Sequence, residues 1–130
     1  MLLKSVTLLS MSRFITISSS TELLRIPSDI LMYITAEGNY SEVNLQDGTH
    51  RLVPFQLGQM VDLLEDQLGE DESPFIRIGK SLIVNRDFIF LVDISEQELV
   101  ISDWNGKYKP IKASRKALSM LKLILENTAI

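Results

Sequence analysis

Turn-forming residues punctuate this chain at such short intervals that, outside two stretches, only β-strands fit between them. Ser18-Ser19-Ser20, Pro27-Ser28-Asp29, Glu37-Gly38-Asn39, Asp47-Gly48 and Asp103-Trp104-Asn105-Gly106 each stop regular structure or tolerate its reversal. The segments they enclose are β-branched, aromatic or alternating. The pattern predicts strands over Phe14 to Ile17, Glu22 to Ile26, Ile30 to Thr35, Tyr40 to Leu45 and His50 to Val53, then over Phe75 to Ile78, Leu82 to Val84, Phe88 to Ile94, Glu98 to Ser102 and Tyr108 to Ile111. Asp47-Gly48 suits a two-residue type I′ hairpin, and Gly38 and Asn39 both tolerate positive φ.

Two stretches change period. After Pro54, residues Leu57, Met60, Val61, Leu64 and Leu68 recur at helical spacing, and Gly69 is placed as a stop. From about Ser114 a second helix is expected, with Leu118, Leu121 and Leu125 on one buried face. With 130 residues, 45% of them hydrophobic, a single domain over residues 13–130 can bury roughly two-thirds of its unfolded surface without staples. Residues 1–12 read as a leader or flexible arm, and Met11 is a candidate start. No apolar run is long enough to cross a bilayer, so a cytoplasmic protein is expected.

Composition excludes several chemistries. There is no Cys, which removes disulfides and thiolate sites, and one His, His50, which rules out a two-histidine metal site and HExxH. Neither a metal nor a cofactor is expected. Gly79-Lys80-Ser81 ends like a phosphate loop, but Pro74 stands where the first Gly belongs and a strand follows instead of a helix. No isolated carboxylate stands out as an acid or base, so an enzyme is not expected.

The net charge of −4 argues at first against a polyanionic partner. Its location weakens that argument. Six acids and no base lie between Asp62 and Glu72, and without them the chain sums to +2. Lys107, Lys109, Lys112, Arg115, Lys116 and Lys122 face no acid between Asn105 and Leu125. Segregated charge says more about individual faces than the total does.

One corner stands out: Phe75-Ile76-Arg77-Ile78-Gly79-Lys80-Ser81-Leu82-Ile83-Val84-Asn85. Two apolar strands meet at a tight polar turn that holds out a long cation and a hydroxyl, groups that suit a DNA groove and a phosphate. Taken alone, such a corner is more often an ordinary solvated turn.

The segment resembles the signature of the LytTR-type DNA-binding domain, Phe-x-Arg-hydrophobic-His-basic-Ser-x-apolar-Val-Asn. Other elements follow in the family's order: Ile30 to Tyr40 as the apolar strand and Glu-x-x-Tyr-like loop, Asp47-Gly48 as the hairpin, Leu57 to Leu68 as the internal helix, and Ala113-Ser114-Arg115-Lys116 as the closing Ser-Arg-basic element. The likeness spans roughly Phe14 to Leu125. It implies a mainly β fold: antiparallel β-sheets in an elongated sandwich, with one packed internal helix and a short C-terminal helix. It further implies a sequence-specific transcriptional regulator of bacterial, response-regulator-like type that reads successive major grooves through loops.

Residue by residue, the resemblance puts Asn39 and Tyr40 in a first reading loop, Lys80 and Ser81 in a second contact region, and Arg115 in a third. Lys112 and Lys116 suit phosphates by charge alone. Arg77 and Asn85 are expected to brace the corner by hydrogen bonds. The implied partner is double-stranded DNA at paired or repeated sites, bound by a homodimer or by two copies, with room for a separate sensory partner. Gly79 replaces the motif's His, and only about a dozen residues precede the first strand, so no phosphorylated receiver within this chain is expected. The alternative reading is a protein-interaction module that kept the fold and lost DNA binding.

Overall fold

The computed structural model describes residues 13–128, so the expected leader and Met11 lie outside the described residues. Among the described residues ten strands form three antiparallel sheets. The first is a hairpin of β1 (Phe14–Ser18) and β2 (Leu23–Pro27). A five-stranded sheet follows, from β3 (Leu31–Glu37), β4 (Tyr40–Leu45), β5 (His50–Val53), β6 (Phe75–Ile78) and β7 (Leu82–Asn85), in the order β5-β4-β3-β7-β6. The third contains β8 (Ile89–Asp93), β9 (Glu98–Ser102) and β10 (Tyr108–Lys112), in the order β10-β9-β8. Helix α1 (Leu57–Leu68) carries the chain from one edge of the five-stranded sheet to the other, and α2 (Arg115–Thr128) closes the fold. The closing helix, expected to be short, is the longer of the two, with 14 residues against 12.

The five-stranded sheet is the middle layer, with an apolar core on each face. On one face Ile34, Val43 and Ile83 meet Leu57, Met60, Leu64 and Leu68 of α1 together with Ile15, Ile17 and Ile26 of the hairpin. On the other, Tyr33, Leu82 and Val84 meet Leu99 and Ile101 of the third sheet and Leu118 and Leu121 of α2. Strand β7 therefore buries successive residues on opposite faces, and all four of its side chains are buried. Its unbroken apolar run is the sequence trace of a strand covered on both sides. Val61, assigned from sequence to the α1 stripe, lies at its half-buried edge.

One local expectation is corrected. The Asp47-Gly48 hairpin is not a two-residue type I′ turn, because that turn needs positive φ at both central residues and here only Gly48, at +92°, has it. Gly48 N–H donates to Leu45 O at 3.0 Å and Leu45 N–H to Thr49 O at 2.8 Å, so the loop is a type I turn closed by a left-handed glycine. Asp47 caps it by accepting from Thr49 N–H at 2.9 Å.

Antiparallel pairing gathers five connections at one end of the molecule: the β3–β4 turn, the β5–α1 link, the β6–β7 corner, the β8–β9 turn and the β10–α2 link. Both helices begin there. The acid-rich end of α1 lies at the opposite end, where Arg13 Nη1 donates to Leu68 O at 3.2 Å.

Candidate nucleic-acid interface

At the β6–β7 corner the chain reverses over Gly79, Lys80 and Ser81. Gly79 has φ +63°, in the left-handed region that costs other residues about 1 kcal/mol or more. Arg77 folds back over the reversal, its Nε donating to Gly79 O at 3.2 Å and its Nη2 to Lys80 O at 3.5 Å. The guanidinium is thus spent on backbone carbonyls, while the side chains of Lys80 and Ser81 stay exposed. Ala36 N–H donates to Ser81 O at 3.0 Å, which fastens the corner to the end of β3.

That end of β3 leads directly into the first turn. Glu37 pairs with Tyr40, and Gly38, at φ +66°, makes the reversal between them. Tyr40 is 50% exposed. Asn39 Oδ1 accepts from Gln56 Nε2 at 3.1 Å. Gln56 precedes α1 in a reciprocal capping box with Gln59, its own N–H donating to Gln59 Oε1 at 2.8 Å.

The third cluster forms where β10 passes into α2. Ser114 caps the helix, its Oγ accepting from Ala117 N–H at 3.1 Å, so Arg115 and Lys116 stand in the first turn and are exposed. Arg115 Nη2 donates to Ser95 O at 3.4 Å and Lys112 Nζ to Glu96 O at 3.5 Å, and both acceptors lie in the β8–β9 turn. Asp93 shapes that turn by accepting from Glu96 N–H at 3.0 Å and Ser95 Oγ at 2.9 Å. These donors, the Glu96 N–H foremost, hold the Asp93 carboxyl below the usual carboxylate range. A groove of about 310 Å³ joins the clusters, lined by Lys80 and Ser81 on one side and Lys112 and Ser114 on the other.

The family model of the LytTr DNA-binding domain matches residues 21–126. The chain belongs to the LytTr DNA-binding domain family. Among solved structures it is similar to the LytTr DNA-binding domain of a protein from Bacillus cereus, described as a methyl-accepting/DNA response regulator. The two are 23% identical with a TM-score of 0.60, over 86% of this chain and 95% of the other. None of the curated proteins matches the sequence. Fold and family are therefore those of a DNA-binding domain and not of an enzyme. Among the described residues no helix is long and apolar enough to cross a membrane.

In this LytTr domain Asn39, Lys80 and Ser81 stand on connections of one end, and Tyr40, Lys112, Arg115 and Lys116 on the strand and helix ends that flank those connections. Asn85 does not join them. It is buried at the far end of β7, where Nδ2 donates to Leu31 O and Oδ1 accepts from Asp87 N–H, both at 2.9 Å. It ties β7 to β3 and caps the 3₁₀ turn Arg86–Phe88, well away from the corner.

The charge is divided along the same axis. The 12 residues of α1 span ~18 Å, about two Debye lengths at physiological salt. The acids at its far end therefore leave the field at the cationic end largely unopposed. That end carries acids of its own, Glu37, Asp93, Glu96 and Glu98, so its basic character comes from exposed side chains at particular loops and not from a uniform patch. The two helix N-termini add partial positive charge there.

Sequence reasoning missed two contributors, Gln56 and the β8–β9 turn. Gln56-x-x-Gln59 ahead of an apolar period is a capping signal that could have exposed the first. The second depends on contacts with Lys112 and Arg115 that local sequence does not carry.

Proposed function

We propose that this LytTr domain is a sequence-specific transcriptional regulator that acts in the cytoplasm and reads the major groove through loops. Asn39 and Tyr40 form one reading turn, and Lys80 with Ser81 forms a second. Arg115 is the third contact, Lys112 and Lys116 neutralise phosphates, and Arg77 holds the corner that presents Lys80. Two copies occupy paired or repeated sites. The observation that carries this reading is the grouping of these side chains on the connections of one end and the element ends beside them, with the acid-rich end of α1 about 18 Å away.

The chemistry follows from the groups. Lys and Arg ammonium and guanidinium groups exchange condensed counterions for phosphate contacts, which makes binding salt-dependent. The Asn39 amide, Tyr40 hydroxyl and Arg115 guanidinium can address base edges. No helix has to enter the groove, because the tight turns put these side chains ahead of the sheet ends.

The test is a salt titration of fluorescence anisotropy on DNA selected from a random pool. About five neutralised phosphates give a slope of log affinity against log salt of about −4 to −5. A flat response overturns the reading. The rival, an interaction module without DNA, draws on Gly79, which leaves the corner bare where the family motif carries His. A protein partner retained after DNase treatment, together with absent DNA affinity, decides for it.

A further inference from the structure

Gln56 joins two parts of the molecule that the proposed reading treats separately, the start of α1 and the first turn. A helix N-terminus offers only N–H donors. In the capping box the Gln56 side chain accepts from the Gln59 N–H, so its oxygen is committed to the helix. Its Nε2 is left as a donor, and it donates to Asn39 Oδ1 at 3.1 Å. Asn39 must therefore turn its oxygen toward Gln56. Its Nδ2 has no hydrogen-bond partner among the described residues, and the side chain is exposed. The polarity of an exposed amide is thus set by a relay that begins at a helix terminus.

We infer that Gln56 is a positioning residue that fixes Asn39 as a hydrogen-bond donor toward DNA, so that the favoured base at Asn39 presents acceptors and no donor in the major groove, guanine or thymine. Guanine offers N7 and O6 and thymine O4, whereas cytosine offers the N4 donor and adenine pairs an acceptor with the N6 donor. The inference rests on the proposed reading of DNA by Asn39. The relay matters because a free Asn amide can rotate to suit either kind of base edge, while one with its oxygen engaged discriminates.

Gln56→Glu separates the two halves of the relay. The introduced carboxylate still accepts from the Gln59 N–H but has no hydrogen to donate, so Asn39 rotates, donates Nδ2 to that carboxylate and presents Oδ1 outward. Selection from a random DNA pool is expected to show one position changing from guanine or thymine to cytosine or adenine. The relative affinity there should swing about tenfold, with other positions unchanged. Gln59→Glu adds the same charge one turn away and keeps the capping box, and it should leave the preference as it is. Melting curves by circular dichroism check that all variants fold. If Asn39→Ala erases one base preference but Gln56→Glu leaves that preference intact, the relay is wrong and DNA reading by Asn39 stands. If Asn39→Ala erases no preference, or the wild-type chain selects no sequence, the reading beneath the relay fails and the relay fails with it.

Discussion

The two ends of this molecule are built from the same tight turns and left-handed glycines, yet they treat their side chains in opposite ways. At the acidic end the connections are stitched to one another: Gln46 Nε2 donates to Asp103 O at 2.8 Å, Trp104 Nε1 to Asp87 O at 2.7 Å, and Asn85 Nδ2 to Leu31 O at 2.9 Å. At the cationic end the connections are also joined, by Arg77, by Gln56 to Asn39, and by the longer contacts of Lys112 and Arg115 with the β8–β9 turn, at 3.5 and 3.4 Å. Among the described residues, the side chains of Tyr40, Lys80, Ser81 and Lys116 have no hydrogen bond or ion pair, although every buried side-chain polar atom is satisfied. The acidic end commits these polar side chains to its own connections, whereas the cationic end leaves four exposed polar side chains without a partner in the fold.

The sharpest way to break this contrast is to cut a stitch. Asn85 is 1% exposed and holds two hydrogen bonds, so Asn85→Ala should destabilise the fold by about 3 kcal/mol. That is a fall of roughly 10 °C in melting temperature, read by calorimetry. DNA affinity, measured by anisotropy well below the transition, should be unchanged. A large loss of affinity from this variant would mean that the two ends are not separable.

Next come the exposed cationic side chains, which should behave in the reverse sense. Arg115→Ala and Lys80→Ala are each expected to weaken DNA binding by roughly 1–3 kcal/mol if they reach bases, or to flatten the salt slope by about one if they reach only phosphate. Stability should move by less than about 0.5 kcal/mol, as for other surface changes. Lys122→Ala is the control, because that side chain pairs with Glu126 on α2, beyond the helix's first turn. Equal affinity losses in all three variants would remove the assignment of Arg115 and Lys80.

A smaller effect compares the ends directly. Gly79 at φ +63° and Gly106 at φ +96° occupy left-handed turns, and an added Cβ meets nothing within 4 Å at either site. Gly79→Ala and Gly106→Ala should therefore each cost about 1 kcal/mol through backbone strain alone, measured by chemical denaturation. A much larger loss at one end would show packing that the open space around both glycines does not predict.

The smallest effect is shared by both ends. Asp93 at one end and Asp47 and Asp103 at the other accept backbone N–H bonds that lower their carboxyl pKa values in the fold. A depressed folded-state pKa gives stability that is present above the unfolded value, about 3.9, and is lost as pH falls through the lower folded value. Thermal melts from pH 6 downward should hold steady and then fall below about pH 4. The Asp93→Ala variant should show a shallower fall, since it has already lost its share.

Much of the fold is legible in the sequence because its signals are local. Tyr40–Leu45, His50–Val53, Leu57–Leu68 and Glu98–Ser102 have the bounds that alternation, helical period and turn residues predict. The Asp47-Gly48 turn misleads because two turn types share that dipeptide, and Gly48 alone takes the positive φ. Strand order is not legible, since β7 pairs with β6 on one side and with the distant β3 on the other, and no local pattern records the second choice. The candidate site divides the same way. Lys80 and Arg115 can be singled out by type and motif, but that they share one end with Asn39, and that Asn85 does not, depends on which strands are antiparallel neighbours.

The pairing of β3 with β7 also sets an order in time. Thr35 lies opposite Leu82, so the central pair of the sheet closes a loop that contains β4, β5, α1 and β6. Pairings this distant in sequence slow folding, toward the millisecond-to-second range of β-rich domains. On the ribosome, the hairpins that precede α1 can form as they emerge, but the corner carrying Lys80 has no partner strand until β7 has been made. Synthesis can therefore complete the Asn39 turn well before Lys80 takes its place beside it.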